Sequence, residues 1–98
     1  MSLEKDIEKK IKKWLKDNHF YFFKVHGSSF MVPGIPDIVA CIKGRFVGIE
    51  VKNKGKLWNQ SEEQKIHQEL IEESGGTYIL ADSLETVQEA LCGLIQYS

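Results

Sequence analysis

Two short apolar runs with almost nothing between them set the tightest limit on what this chain can fold into. Asp37-Ile38-Val39-Ala40-Cys41-Ile42 and Phe46-Val47-Gly48-Ile49-Glu50-Val51-Lys52 are rich in β-branched residues, and only Lys43-Gly44-Arg45 separates them. Such residues favour strands, and a short glycine-containing connection brings consecutive strands together as an antiparallel hairpin. The rest of the chain has to be arranged around that pair.

Upstream, residues 3 to 17 carry Leu3, Ile7, Ile11, Trp14 and Leu15 at helical spacing, with Lys9, Lys10, Lys12, Lys13 and Lys16 on the other side. This is an amphipathic helix, which Asp17-Asn18 interrupts. The aromatic segment His19 to Val25 reads as a strand. From His26 through Ser28 and Met31 to Pro36 the glycines and prolines predict a loop.

Downstream, Asn53 to Gln60 is polar. Ser61 has the character of a helix N-cap with Gln64 three residues on, and Ile66, Leu70 and Ile71 follow at helical spacing until Gly75-Gly76. Thr77 to Ala81 predicts a fourth strand. Ser83 caps a last helix bearing Leu84, Val87, Leu91, Leu94 and Ile95. The order is α-β-β-β-α-β-α. The strand-helix-strand unit from Phe46 to Ala81 is a crossover, so the fourth strand should run parallel to the third with right-handed connectivity. The expected fold is α/β, a mixed sheet of about four strands flanked by helices.

Ninety-eight residues suffice for one hydrophobic core, so residues 1–98 are expected to form a single domain. With 42% hydrophobic and 28% charged residues the chain has globular usage, which excludes the disordered, collagenous and disulfide-scaffold classes. It has no apolar run of the roughly 18 residues that a membrane helix needs, and no signal-peptide core, so a cytoplasmic protein without membrane contact is expected. Cys41 and Cys92 lack metal or redox spacing and are expected to be reduced, buried and inert. The formal charge of -1 lacks the basic excess of a typical nucleic-acid binder. Any contact with DNA therefore falls to local lysines and a bound cation.

Along the third strand side chains alternate, so Val47, Ile49 and Val51 share one face while Gly48, Glu50 and Lys52 share the other. The hairpin places Asp37, which opens the neighbouring strand behind Pro36, beside Glu50 and Lys52. Glu50 and Lys52 alone amount to a same-face salt pair, worth little energy. With Asp37 added, three ionisable groups converge. Two carboxylates can hold Mg2+ or Mn2+ through oxygen ligands, and a lysine beside them can orient or activate a water, which is what phosphodiester hydrolysis requires.

These segments resemble a known family. Gly34-Ile35-Pro36-Asp37, the run from Phe46 to Lys52, and Ser61-Glu62-Glu63-Gln64 are similar to the motifs of the VRR-Nuc branch of the PD-(D/E)xK nuclease superfamily, over nearly the whole chain. The resemblance implies a restriction-endonuclease-like core. It implies Asp37, Glu50 and the main-chain carbonyl of Val51 as ligands for Mg2+ or Mn2+, and Lys52 as the catalytic lysine. A first-helix glutamate often joins the site in such nucleases. Glu8 fits by its distance from the first strand, and Glu4 lies closer to the terminus.

Gln64 matches a glutamine that the family places on the helix after the third strand, although it can equally serve the helix cap. Lys24 and His26 end the first strand within reach of phosphate, or are structural. Lys54 and Lys56 flank Gly55 in a basic loop open to phosphate contact or to plain solvation. The Phe20 to Phe23 run is expected to serve core and interface, not base stacking.

Standalone members of the family resemble Holliday-junction resolvases working as homodimers, since a two-fold junction needs two symmetric cuts. The expected partners are thus branched DNA and a second copy of the chain. Flap or 5′-end cleavage is the nearest alternative. A catalytically silent DNA-binding or interaction module is the alternative of another class, and its signature would be a missing acid or lysine.

Overall fold

The computed structural model describes residues 3–27 and 32–96, so the stretch Ser28 to Met31 of the expected loop lies outside the described residues. The hairpin forms as anticipated. Strands β2 (Ile38–Ile42) and β3 (Arg45–Val51) pair antiparallel with Ile38 opposite Ile49 and Ile42 opposite Arg45. Their connection is tighter than the three residues expected. Lys43 and Gly44 alone make the turn, at φ 53° and 80°, the left-handed pair that matches the twist of a two-residue hairpin.

Helix α1 (Glu4–Asp17) precedes strand β1 (Tyr21–Lys24), which pairs antiparallel with β2, Tyr21 opposite Cys41 and Lys24 opposite Ile38. The strand is shorter than His19 to Val25, because His19 adopts φ 62° and Phe20 N–H returns to the Leu15 carbonyl, which spends both residues on ending the helix. Helix α2 (Glu62–Glu73) then carries the chain to β4 (Thr77–Ala81), parallel to β3 with Val47 beside Thr77 and Val51 beside Ala81. Helix α3 (Leu84–Gln96) completes the expected order, and the sheet runs β1-β2-β3-β4. The fold is α/β with a four-stranded mixed sheet and three helices.

Strand alternation decides which residues the helices cover. Ile38, Ala40, Ile42, Val47, Ile49, Val51, Ile79 and Ala81 point to one face and are buried under Ile7, Ile11 and Leu15 of α1 and Val87 and Leu91 of α3. On the other face Ile71 of α2 and the ring of Pro36 close over Gly48, where an added Cβ would lie 2.8 Å from Pro36 Cγ. Gly34, at φ 89°, brings its loop against the backbone of Glu63 so closely that a Cβ would stand 2.5 Å away. The loop before β2 is thus clamped between β3 and α2, which fixes where Asp37 enters the sheet.

That second face is only partly covered. Phe20 and Phe22 pack on the core as expected, but Tyr21, Phe23 and Phe46 are exposed. The same geometry corrects the expectation for the cysteines. Cys41 is exposed because it lies on β2 among the residues that no helix covers, and Cys92 is exposed on α3. Among the described residues no helix is long and apolar enough to cross a membrane.

Candidate functional site

The register places Asp37, one residue ahead of the Ile38–Ile49 pair, level with Glu50 on the same face. Asp37 Oδ2 accepts a hydrogen bond from the Val51 N–H at 2.8 Å, which ties the carboxylate to the end of β3. Lys52 follows directly, its N–H donating to the Ala81 carbonyl at 2.8 Å, so the parallel pairing with β4 holds the lysine backbone. Both side chains of the third-strand motif are buried, Glu50 at 6% exposure and Lys52 at 9%.

Burial makes Glu50 the most perturbed group here. Its Oε1 is enclosed with no hydrogen-bond partner among the described residues. Its pKa is pushed up to about 8, first by loss of hydration, then by the negative charge of Asp37 and by a hydrogen bond that protonated Glu50 can share with Asp37. The Lys52 ammonium opposes the rise, and Glu4 adds to it. As a carboxylate Glu50 is left with Oε1 lacking a donor. A proton or a cation there would satisfy it.

Four of the expected site residues therefore meet: Asp37, Glu50, the Val51 main chain and Lys52. Glu8 arrives differently. It forms an ion pair with Lys24, whose ammonium lies 3.9 Å from Asp37 Oδ1, and a second with Lys12 at 3.6 Å. Glu8 thus acts on Asp37 through Lys24, and Lys24 is turned toward these acids. The first-helix acid that acts on Glu50 is Glu4, one turn before Glu8, where the Asn53 side chain accepts the Glu4 N–H at 2.8 Å.

Gln64 is engaged in the capping box. Its side-chain oxygen accepts from the Ser61 N–H at 2.9 Å, and its own N–H donates to Ser61 Oγ at 3.1 Å. His26, Lys54 and Lys56 are exposed. The ammonium of Lys56 stands 5.5 Å from the ring centre of Trp58.

Two residues near the acids were not singled out by their sequence positions. Tyr78 lies beside Gly48 in the parallel register and is buried. Burial pushes its hydroxyl up to about 12, with Gln60 pulling the other way and the charges of Glu50 and Asp37 adding to the rise. The Gln60 amide donates to Gln68 Oε1 at 2.9 Å and to Tyr78 Oη at 3.5 Å. The signal for Tyr78 was present in strand alternation, since it shares a face with Gly48 once the fourth strand is parallel.

Among the described residues no three His, Cys, Asp or Glu side chains converge on one point. A cation at Asp37 and Glu50 would therefore rest on two carboxylates and water, the manner in which Mg2+ is commonly held. The donors fit it: both are hard oxygens, and the buried Glu50 Oε1 has no hydrogen-bond partner among the described residues. Asp37 opens on a cavity of about 230 Å3 lined by Val25, Gly27 and the loop from Val32 to Pro36. The larger cavities, about 380 and 340 Å3, lie beside Phe46 and Gly76, away from the acids. No protein-family model matches the chain, and no curated protein matches it.

Proposed function

We propose that the chain is a metal-dependent, structure-selective DNA endonuclease with a restriction-endonuclease-like core, cutting phosphodiester bonds at Asp37, Glu50 and Lys52. The observation that carries this reading is the buried Glu50 carboxylate, one oxygen of which has no donor, held against Asp37 and Lys52. A dry negative charge beside a second one is costly unless a cation joins them. Asp37, Glu50 and, by the VRR-Nuc resemblance, the Val51 carbonyl would hold Mg2+ or Mn2+. That ion supplies charge stabilisation at the phosphate oxygens and lowers the pKa of a water.

The chain's own groups do the rest. Lys52 brings a fixed ammonium to hold the attacking water or the phosphate, adding positive charge where negative charge grows in the transition state. Lys24, set by Glu8, keeps a second positive charge near Asp37. The sites of a homodimer would make paired cuts in a Holliday junction. The exposed Tyr21 and Phe23 on edge strand β1 support such pairing. We place the protein in the cytoplasm on the same reading.

The test is cleavage of labelled four-way junction, 5′ flap and linear duplex in Mg2+ or Mn2+ against EDTA. Paired, metal-dependent nicks across the junction are expected. Flap-only cutting replaces the resolvase by a repair-type nuclease, and intact DNA in every lane leaves a silent binding module.

A further inference from the structure

The loop that follows Lys52 displays a tryptophan. Trp58 is 74% exposed, whereas Trp14, the other tryptophan of the chain, packs against the core. A large aromatic left in water forfeits the burial that normally repays it. It is also not on a loose tether. Asn53 is tied to the N-terminus of α1, Gly55 N–H donates to Asp82 Oδ2 at 2.9 Å, and Gln60 is tied to Gln68. Between these anchors Lys56 N–H closes a turn on Asn53 O at 2.9 Å, with Gly55 at φ 79° supplying the left-handed residue it needs, and Asn59 N–H closes a second on Lys56 O at 3.0 Å. Two successive turns keep Trp58 within about 17 Å of Lys52, a few nucleotides along a strand.

Charge identifies the occupant. Residues 52 to 60 contain Lys52, Lys54 and Lys56 and no acid, in a chain whose net charge is -1. An exposed indole with an ammonium over its ring, set among lysines on a fixed loop, matches what a single-stranded polyanion with aromatic bases requires: cations for its phosphates and a rigid flat surface for a base. A base paired within a duplex cannot offer its face. We infer that Trp58 is a stacking site for an unpaired nucleobase, with Lys54 and Lys56 on the flanking phosphates, so that the substrate carries unpaired nucleotides next to the cut. This rests on the nuclease reading and, within it, points to the flap-type substrate with a single-stranded arm over a fully paired four-way junction.

The experiment uses the full chain carrying Trp14→Phe, in which Trp58 is the only tryptophan. It is titrated in Ca2+ with fluorescein-labelled blunt duplex, the same duplex with a short single-stranded arm, and a single strand. The label's anisotropy reports binding, and tryptophan emission reports stacking. Emission should be quenched at least twofold by the armed duplex and the single strand, and left unchanged by blunt duplex. Trp58→Ala should weaken binding of the armed duplex about tenfold without changing blunt-duplex binding, and Trp58→Phe should recover most of the loss. DNA bound with unchanged emission overturns the stacking site and leaves the nuclease reading intact. So does a Trp58→Ala variant with every DNA affinity unaltered, the result expected if Leu57 and Trp58 serve a protein partner instead. Failure of all three DNAs to bind also overturns the stacking site, and the nuclease reading then stands or falls on junction cleavage.

Discussion

Against α1 and α3 the sheet presents Ile38, Ala40, Ile42, Val47, Ile49 and Val51, all buried among aliphatic neighbours. Against α2 it presents Gly48, Tyr78 and, at the strand ends, Glu50 and Asp37. Helix α2 contributes no buried residue, and Ile66 and Leu70 on it are more than half exposed. Each fully buried aliphatic side chain stabilises by about 1.5–3 kcal/mol, so stability is concentrated on the first face. The second face carries a cost, a buried carboxylate with one oxygen lacking a donor beside another carboxylate, that a chain without the first could not sustain. One strand, β3, serves both through alternate residues.

The largest effect should come from the smallest structural change on the second face. Lys52→Ala should lower cleavage about 1000-fold while the far-ultraviolet circular dichroism and melting temperature stay near those of the wild type. Cleavage at the wild-type rate removes Lys52 from the chemistry.

On the first face, Ile11→Ala should cost about 3 kcal/mol in urea unfolding. Leu70→Ala on α2 should cost under about 1 kcal/mol and leave cutting unchanged. Equal costs would break the comparison between the faces.

Acidity sharpens the comparison further. Glu50 is raised from 4.5 to about 8 in the folded protein, so the native state holds its proton where the unfolded state has released it. The stability this contributes is fully present below pH 4.5 and is lost as pH rises through about 8. Over that window in EDTA, Glu50→Gln should lose roughly 5 kcal/mol less stability than the wild type by thermal melting. Parallel curves for the two proteins would show that Glu50 is not desolvated. The cap is also a small effect: Ser61→Ala should cost about 1 kcal/mol, seen as a small fall in melting temperature with cutting retained.

These contrasts also mark what was legible beforehand. Helix α1 could be read because Ile7, Ile11 and Leu15 recur on one stripe, and the hairpin because Lys43-Gly44 leaves two apolar runs no other option. The approach of Asp37 to Glu50 followed from strand alternation and that short turn. The exposure of Cys41, Tyr21 and Phe46 could not be read from the same alternation. A strand shows that it has two faces without showing how far a helix reaches across each. The split between Glu4 and Glu8 was likewise hidden, because one helical turn separates two acids on the same side and only the tertiary position of Lys24 decides which of them it claims. Gln64 fitted both a cap and a site, and Ser61 engages it as a cap.

The central claim is that the orphaned Glu50 carboxylate and Asp37 together hold a divalent cation. Calorimetric titration of the wild-type protein with Mn2+ at pH 7 tests it most directly, beside Glu50→Gln and Asp37→Asn. The account predicts one ion per chain for the wild type and at least tenfold weaker binding in each variant. No binding by the wild type, or equal affinity in all three proteins, would contradict it.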